Sequence, residues 1–259
     1  MANKPSTEYL AAVSNLMTKI RNLLDGLRLT PRTASATDSV LLALLSKSIV
    51  LTEAVVCLLS NGFTDEAVAL SRSSMEIQIT VRYMTNQNTV ERCEKFYNFA
   101  AKDKTDWFRL IKQYYPDLQV RRRSDMEHLE KLAAIYRKPH SWSQHPEGLK
   151  GLAKEPDTFD VTEAGEQLNE NFNYEVMYKL ASQYVHSTVS AIDAGHVTPA
   201  NELFIVHRAA GKSTMGDSAL TSAYFAVHLN TIRVLRYLNM EGEYPEVLIQ
   251  EFLQVAKME

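Results

Sequence analysis

At 259 residues and 29.3 kDa, with 45% hydrophobic and 23% charged residues, the chain is long enough to bury a sizeable core and too apolar to be disordered. Its net charge of -3 and pI near 6.2 give no general attraction to a polyanion, so nucleic-acid binding would need a local patch. Only "RRR" at 121–123 is dense enough for one, while Cys57 and Cys93, with no CxxC spacing or nearby histidine cluster, argue against a zinc site or a disulfide framework.

The opening "MANKPSTEYLAAVSNLM" lacks a basic segment followed by an apolar one. No uninterrupted apolar run approaches the roughly 20 residues that span a bilayer. Neither export nor membrane insertion is expected, and a cytoplasmic protein fits best. With only 9 glycines, and apolar residues recurring every three or four positions, the fold class is all-α, a multi-helix antiparallel bundle. The spacing predicts a first helix over 7–28, ending before Pro31, and a second that starts after the caps Thr37 and Asp38 and runs to "NG" at 61–62. Thr64 caps a third, to about residue 84, and the short "NGFT" makes the two an antiparallel hairpin. Thr89 opens a fourth that stops before Pro116, and a charged fifth covers 117–137. Residues 138–173 hold Pro139, Pro146 and Pro156 with little periodicity, a long irregular segment of the kind that often carries function. A sixth helix spans 174–193. "AGHVTPANELFIVHRAAGKSTMG" then reads as a loop with one short strand or hairpin near 202–208. Helices over 217–239 and 245–258 close the chain. The expectation is a single helical domain over 1–259, with its core at about 35–240 and the helices at 7–28 and 245–258 flanking it.

Two helices carry polar residues where apolar ones are expected. On the third, Leu70, Ile77, Val81 and Met84 form one apolar face and Val68, Ile79 and Tyr83 another nearly opposite, so the helix is buried from two directions. Arg72 and Glu76 fall among the members of the second face. They read either as an i,i+4 salt bridge on a solvated edge, in the less favourable order, or as a buried pair whose desolvation cost points to a job. On the sixth helix Tyr178, Ser182, Val185 and Val189 share a narrow arc with His186 at its margin, placing a phenol, a hydroxyl and an imidazole on one wall. Histidine titrates near neutrality and can serve as general acid or base, but it is also common as a hydrogen-bonded core residue.

The order "ALSRSSMEIQITVRYM", "SWSQHPEGLKGLA", "YKLASQYVHSTVSA" resembles an uncharacterised bacterial all-helical family, a domain of unknown function with R-s-x-x-E on one helix, W-s in a loop and Y-x-x-x-S-x-x-x-H on a later helix. The matching positions are Arg72, Ser73, Glu76, Trp142, Ser143, Tyr178, Ser182 and His186; the glycine expected soon after Trp142 is replaced by Gln144. That family is in turn distantly similar to the HEPN superfamily of helical nucleotide-binding and RNA-cleaving domains of bacterial toxin and phage-defence systems. The resemblance implies a metal-independent endoribonuclease in which His186 is acid or base, Arg72 binds the scissile phosphate and Glu76 orients Arg72. Tyr178 and Ser182 would add hydrogen bonds, with Ser73 and Trp142 in support. HEPN ribonucleases typically carry arginine four to six residues before histidine on one helix. Here only "RRRSDMEH" does so, making Arg123 and His128 the alternative site, although the helix is charged on most sides and a solvated face is the simpler explanation.

No Walker loop, G-x-S-x-G, H-E-x-x-H or dinucleotide fingerprint occurs, and "AAGKST" at 209–214 lacks the leading glycine spacing of a phosphate loop. "HSWSQH" has no carboxylate at comparable spacing, so neither a metal nor another cofactor is expected. The expected partners are RNA or a nucleotide at a local site, a second copy of the chain, and a defence-system protein. A second reading belongs to another class: a non-catalytic interaction or ligand-sensing module, whose Arg72, Glu76 and His186 network is structural.

Overall fold

The computed structural model describes residues 7–26, 35–116, 123–155, 178, 181–182, 197–200, 203–206 and 215–240. Among these the architecture is an all-α bundle: α1 (Thr7–Gly26), α2 (Ala36–Ser60), α3 (Thr64–Asn86), α4 (Thr89–Tyr114), α5 (Arg123–Ile135), α6 (Leu149–Lys154) and α7 (Gly216–Tyr237). One ribbon precedes α7, with β1 (Val197–Ala200) antiparallel to β2 (Leu203–Val206) and Val197 opposite Val206. The run "LFIV" is thus a strand, as its β-branched composition implies, and its partner is the "VTPA" just upstream.

The centre of the bundle is α2, α3 and α7. Helix α2 begins at a capping box: the Ser35 hydroxyl accepts the Asp38 N–H at 3.1 Å and the Asp38 carboxylate accepts the Ser35 N–H at 2.6 Å. The cap is therefore Ser35, two residues before the expected Thr37 and Asp38; Asp38 is the reciprocal partner and Thr37 is buried in the first turn. At the other end Gly62 (φ +84) turns the chain in a left-handed conformation, with the Phe63 N–H returning to Leu58 O at 2.9 Å. This turn makes α2 and α3 neighbours.

Helix α2 is long and apolar enough to cross a membrane by length and composition. Here it packs against α1, α3, α4 and α7, which accounts for its apolar residues on several sides. Its buried hydroxyls are spent inside the bundle: Thr52 donates to Ala223 O at 3.0 Å, and Ser48 accepts from the Asn230 amide at 3.1 Å. These two bonds run α7 antiparallel to α2 and therefore alongside α3 in the same direction.

Helix α3 is more enclosed than two faces would require. Val68, Met75, Ile79, Val81, Tyr83 and Met84 are buried, as are Ser71, Ser74 and Thr80 between them. Helix α1, expected to flank the core, contributes six buried residues to it, and its Tyr9 hydroxyl bonds Thr221 at 2.6 Å. Thr64 is the first helical residue of α3 rather than its cap, and Thr89 opens α4 as expected. Phe63 and Asn88 occupy the cap positions, Asn88 in the left-handed region (φ 49) that asparagine tolerates. Helix α5 begins at Arg123, and residues 117–122, expected as its first turns, lie outside the described residues. The same holds for most of 174–193 and for all of 245–258.

Candidate functional site

Helix α3 presents Arg72 and Glu76 one turn apart, and Tyr178 comes from 102 residues or more along the chain to meet both. Arg72 Nη2 donates to the Tyr178 hydroxyl at 2.9 Å. That hydroxyl donates to Glu76 Oε1 at 3.0 Å, and Oε1 lies 3.0 Å from the same Nη2. One nitrogen and two oxygens thus close a triangle. The guanidinium carbon also sits 4.9 Å from the centre of the Tyr178 ring, within reach of its negative face.

Packing sets this register. Ala181, three residues after Tyr178, is buried with Val68 and Met75 of α3 and Ala219 of α7, and Tyr178 and Met215 pack against that cluster. Ser182 donates its hydroxyl to Tyr178 O at 2.7 Å, the i,i+4 bond of a helical turn. The residues expected on 174–193 that are described therefore do dock on α3.

The triangle is neither sealed nor fully solvated: the Arg72 side chain keeps 20% of its surface and that of Glu76 40%. Burial works against the Arg72 cation, but the hydrogen bonds and charges of Tyr178 and Glu76 outweigh it and hold the guanidinium above its ordinary pKa. Burial likewise raises the Tyr178 phenol, with the Arg72 hydrogen bond partly offsetting it. The triangle is therefore a cation and a phenol O–H meeting the Glu76 carboxyl group. Nη2 spends both its hydrogens in the triangle, while Nε is buried and makes no hydrogen bond among the described residues.

The remaining sequence candidates are dispersed. Trp142 is buried edge-on to Tyr83 (5.5 Å between ring centres) and Phe96 (5.1 Å), and the Tyr83 hydroxyl donates to Ser143 O at 2.8 Å. Tyr83 is eleven residues beyond Arg72, about 16 Å of helix rise, so Trp142 and Ser143 fasten their loop to the far half of α3. Ser73 is half-buried beside Arg72 in sequence but a quarter-turn round the helix. His128 is exposed on α5; the side chain of Arg123, and the whole of His186, lie outside the described residues. Gln144, standing where a glycine was expected, adopts φ 54, a left-handed conformation that the glycine would have taken without strain.

A second polar cluster carries no sequence signal. Arg92 pairs with Glu155 at 2.8 Å, its guanidinium carbon lies 3.7 Å over the Tyr83 ring, and it also donates to Tyr83 O. Arg82 donates to Glu155 O, and the Gln87 amide to Glu155 Oε1 at 3.2 Å. Burial raises the Tyr83 phenol, partly countered by Arg92. This clamp pins the end of the irregular segment to the α3–α4 corner. Its members are up to 73 residues apart, with Glu155 in a segment without periodicity, so no spacing rule could have assembled them. In "HSWSQH", His145 Nδ1 accepts the Glu147 N–H at 3.3 Å and its imidazole occupies the space over Gly151. Among the described residues no group of three or more His, Cys, Asp or Glu is placed to hold a metal ion. Cys93 is buried, its thiol pushed up to about 12, and Cys57 is exposed.

With this geometry in view, residues 38–202 match the model of a family described as a family of unknown function, DUF5677. The chain belongs to the DUF5677 family. The matched range runs from α2 through β1, so it holds Arg72, Glu76, Trp142, Tyr178, Ser182 and His186, and it excludes α1 and α7, which complete the core. DUF5677 is an uncharacterised domain family, as the sequence resemblance implied. No curated protein and no solved structure matches the chain.

Proposed function

We propose that this DUF5677 protein is a HEPN-like, metal-independent endoribonuclease that acts as an effector of bacterial phage defence, with Arg72, Glu76 and Tyr178 forming the phosphate-binding end of its site and His186 the acid or base. The observation that carries the reading is the partly exposed Arg72 guanidinium, fixed through one nitrogen by Glu76 and by Tyr178, the residue that opens the Y-x-x-x-S-x-x-x-H pattern ending at His186. A guanidinium held in this way needs little reordering to bind a phosphodiester, and it stays charged at any physiological pH. Glu76 and Tyr178 position it; Ser182 lies between Tyr178 and His186. Arg72 binds the scissile phosphate and His186 moves the proton.

That division of labour sets the test. Purified wild type should cleave single-stranded RNA in vitro and arrest growth when expressed. His186→Ala should lose turnover with KM little changed, whereas Arg72→Ala should lower kcat/KM at least about ten-fold, through KM as well as turnover. His128→Ala should behave as wild type. Activity kept by both of the first two variants and lost in His128→Ala would move the site to α5.

A second reading, the non-catalytic interaction or sensing module, is favoured by the closure of the triangle itself, since Tyr178 is fully engaged in tying its helix to α3. It predicts no RNA cleavage by the wild type and equal loss of partner binding for Arg72→Ala and Tyr178→Phe.

A further inference from the structure

Helix α4 is buried at Ala101 and Thr105, yet the other side of its last turns is open and aromatic. Trp107 is 67% exposed, Leu110 53% and Tyr114 71%, and Tyr115 follows at 66%. At 100° per residue, Trp107, Leu110 and Tyr114 fall within about 60° of one another and form a single row. Roughly a third of a turn to one side begins a groove of about 500 Å³ between α4 and α5, lined by Lys102, Asp106, Arg109, Glu130 and Arg137 with Ala133 and Ala134 as its floor. Over 102–116 and 123–138 the chain carries eight Lys or Arg against five Asp or Glu, a local charge of +3 in a molecule whose total is -3.

Two occupants suit exposed rings: a second copy of the chain, or the bases of a nucleic acid. In the groove Asp106 pairs with Lys102 at 3.4 Å and with Arg109 at 3.7 Å, so the excess positive charge belongs to the hairpin as a whole, and a two-fold contact through this row would set two such +3 hairpins side by side, like charge near like charge. A single strand instead meets both features at once, its bases on the indole and phenol faces and its phosphates beside Arg109, Arg137 and Lys102. We infer that the α4–α5 hairpin is a single-stranded RNA platform, on which Trp107 and Tyr114 stack bases and the flanking groove neutralises phosphates. The choice of RNA rests on the proposed ribonuclease reading; the platform itself is independent of Arg72 and His186.

Binding of a fluorescently labelled oligouridine, read by anisotropy on the full chain in the His186→Ala background, separates the two ideas, because no cleavage is needed for the signal. Trp107→Ala and Tyr114→Ala should each weaken binding about ten-fold, while Trp107→Phe keeps most of it. Arg109→Glu with Arg137→Glu should weaken it and flatten its salt dependence. These side chains are exposed, so the variants should keep the wild-type urea midpoint. The platform is overturned if the double ring variant binds as well as its parent, if a duplex of the same length competes as well as the single strand, or if sedimentation shows a dimer that the ring variants dissociate. Loss of cleavage in His186→Ala with oligouridine binding intact would support both proposals; cleavage retained by His186→Ala with binding lost in the ring variants would remove only the catalytic one.

Discussion

Tyr178 stands between a cation and an anion, and its hydroxyl spends its donor on Glu76 and a lone pair on Arg72. Removing only that oxygen in Tyr178→Phe leaves the ring under the guanidinium and the Arg72–Glu76 pair intact. The expected cost is about 1–2 kcal/mol, at the low end for bonds to charged groups because the site is partly solvated. It should appear as a lower urea midpoint at unchanged m; an unshifted midpoint would show that the triangle adds nothing to stability. Gln144 offers a change of opposite sign. A left-handed non-glycine residue costs about 1–2 kcal/mol, part of which a glycine returns as lost chain entropy in the unfolded state. Gln144→Gly should therefore raise stability by about 0.5–1 kcal/mol and the melting temperature by about 2 °C in calorimetry. Equal or lower stability would mean that the Gln144 side chain contributes more than its backbone loses.

At the scale of the elements, α7 carries its polar groups inward. His228 is buried and its pKa is pushed down to about 3 by that burial. A histidine base with a folded pKa below its unfolded value near 6.5 binds its proton in the unfolded chain first, so protons favour unfolding. The contribution of His228 to stability is full above pH 6.5 and is lost as the pH drops toward 3. From pH 6.5 to 5 the loss from this group is about 1.5 kcal/mol, the slope reaching about 1.4 kcal/mol per unit only once the unfolded histidine is largely protonated. Urea unfolding of wild type and His228→Gln at the two pH values should show that extra slope in the wild type alone. Such burial could not be read from α7, because "TSAYFAVHLNTIRVLRY" looks amphipathic unless one knows that both α2 and α3 cover it. The α2–α3 hairpin, by contrast, is legible in "NG" and in the apolar period on either side. The cap of α2 is not, because the S-x-x-D box lies ahead of the periodic residues that signal the helix.

For the whole molecule, the helical bundle follows from periodicity, and the pairing of Arg72 with Glu76 from their one-turn spacing. That Tyr178 would join them required the third dimension: three chemistries on one helix row give no address for the partner helix, and burial of Ala181 against Val68 and Met75 supplies it. The Arg92–Glu155 clamp was invisible for a related reason, since its parts are 63 residues apart and share no element. The proposed chemistry is RNA cleavage without a metal by His186, with Arg72, Glu76 and Tyr178 at the phosphate. The most direct measurement is the chemistry of the cut ends when the full chain is incubated with single-stranded RNA in excess EDTA. Attack by the 2′-hydroxyl, with His186 moving the proton, should leave 2′,3′-cyclic phosphate ends that are absent from the His186→Ala reaction. Ends bearing a 3′-hydroxyl, cleavage abolished by EDTA, or cyclic phosphate produced undiminished by His186→Ala would contradict it.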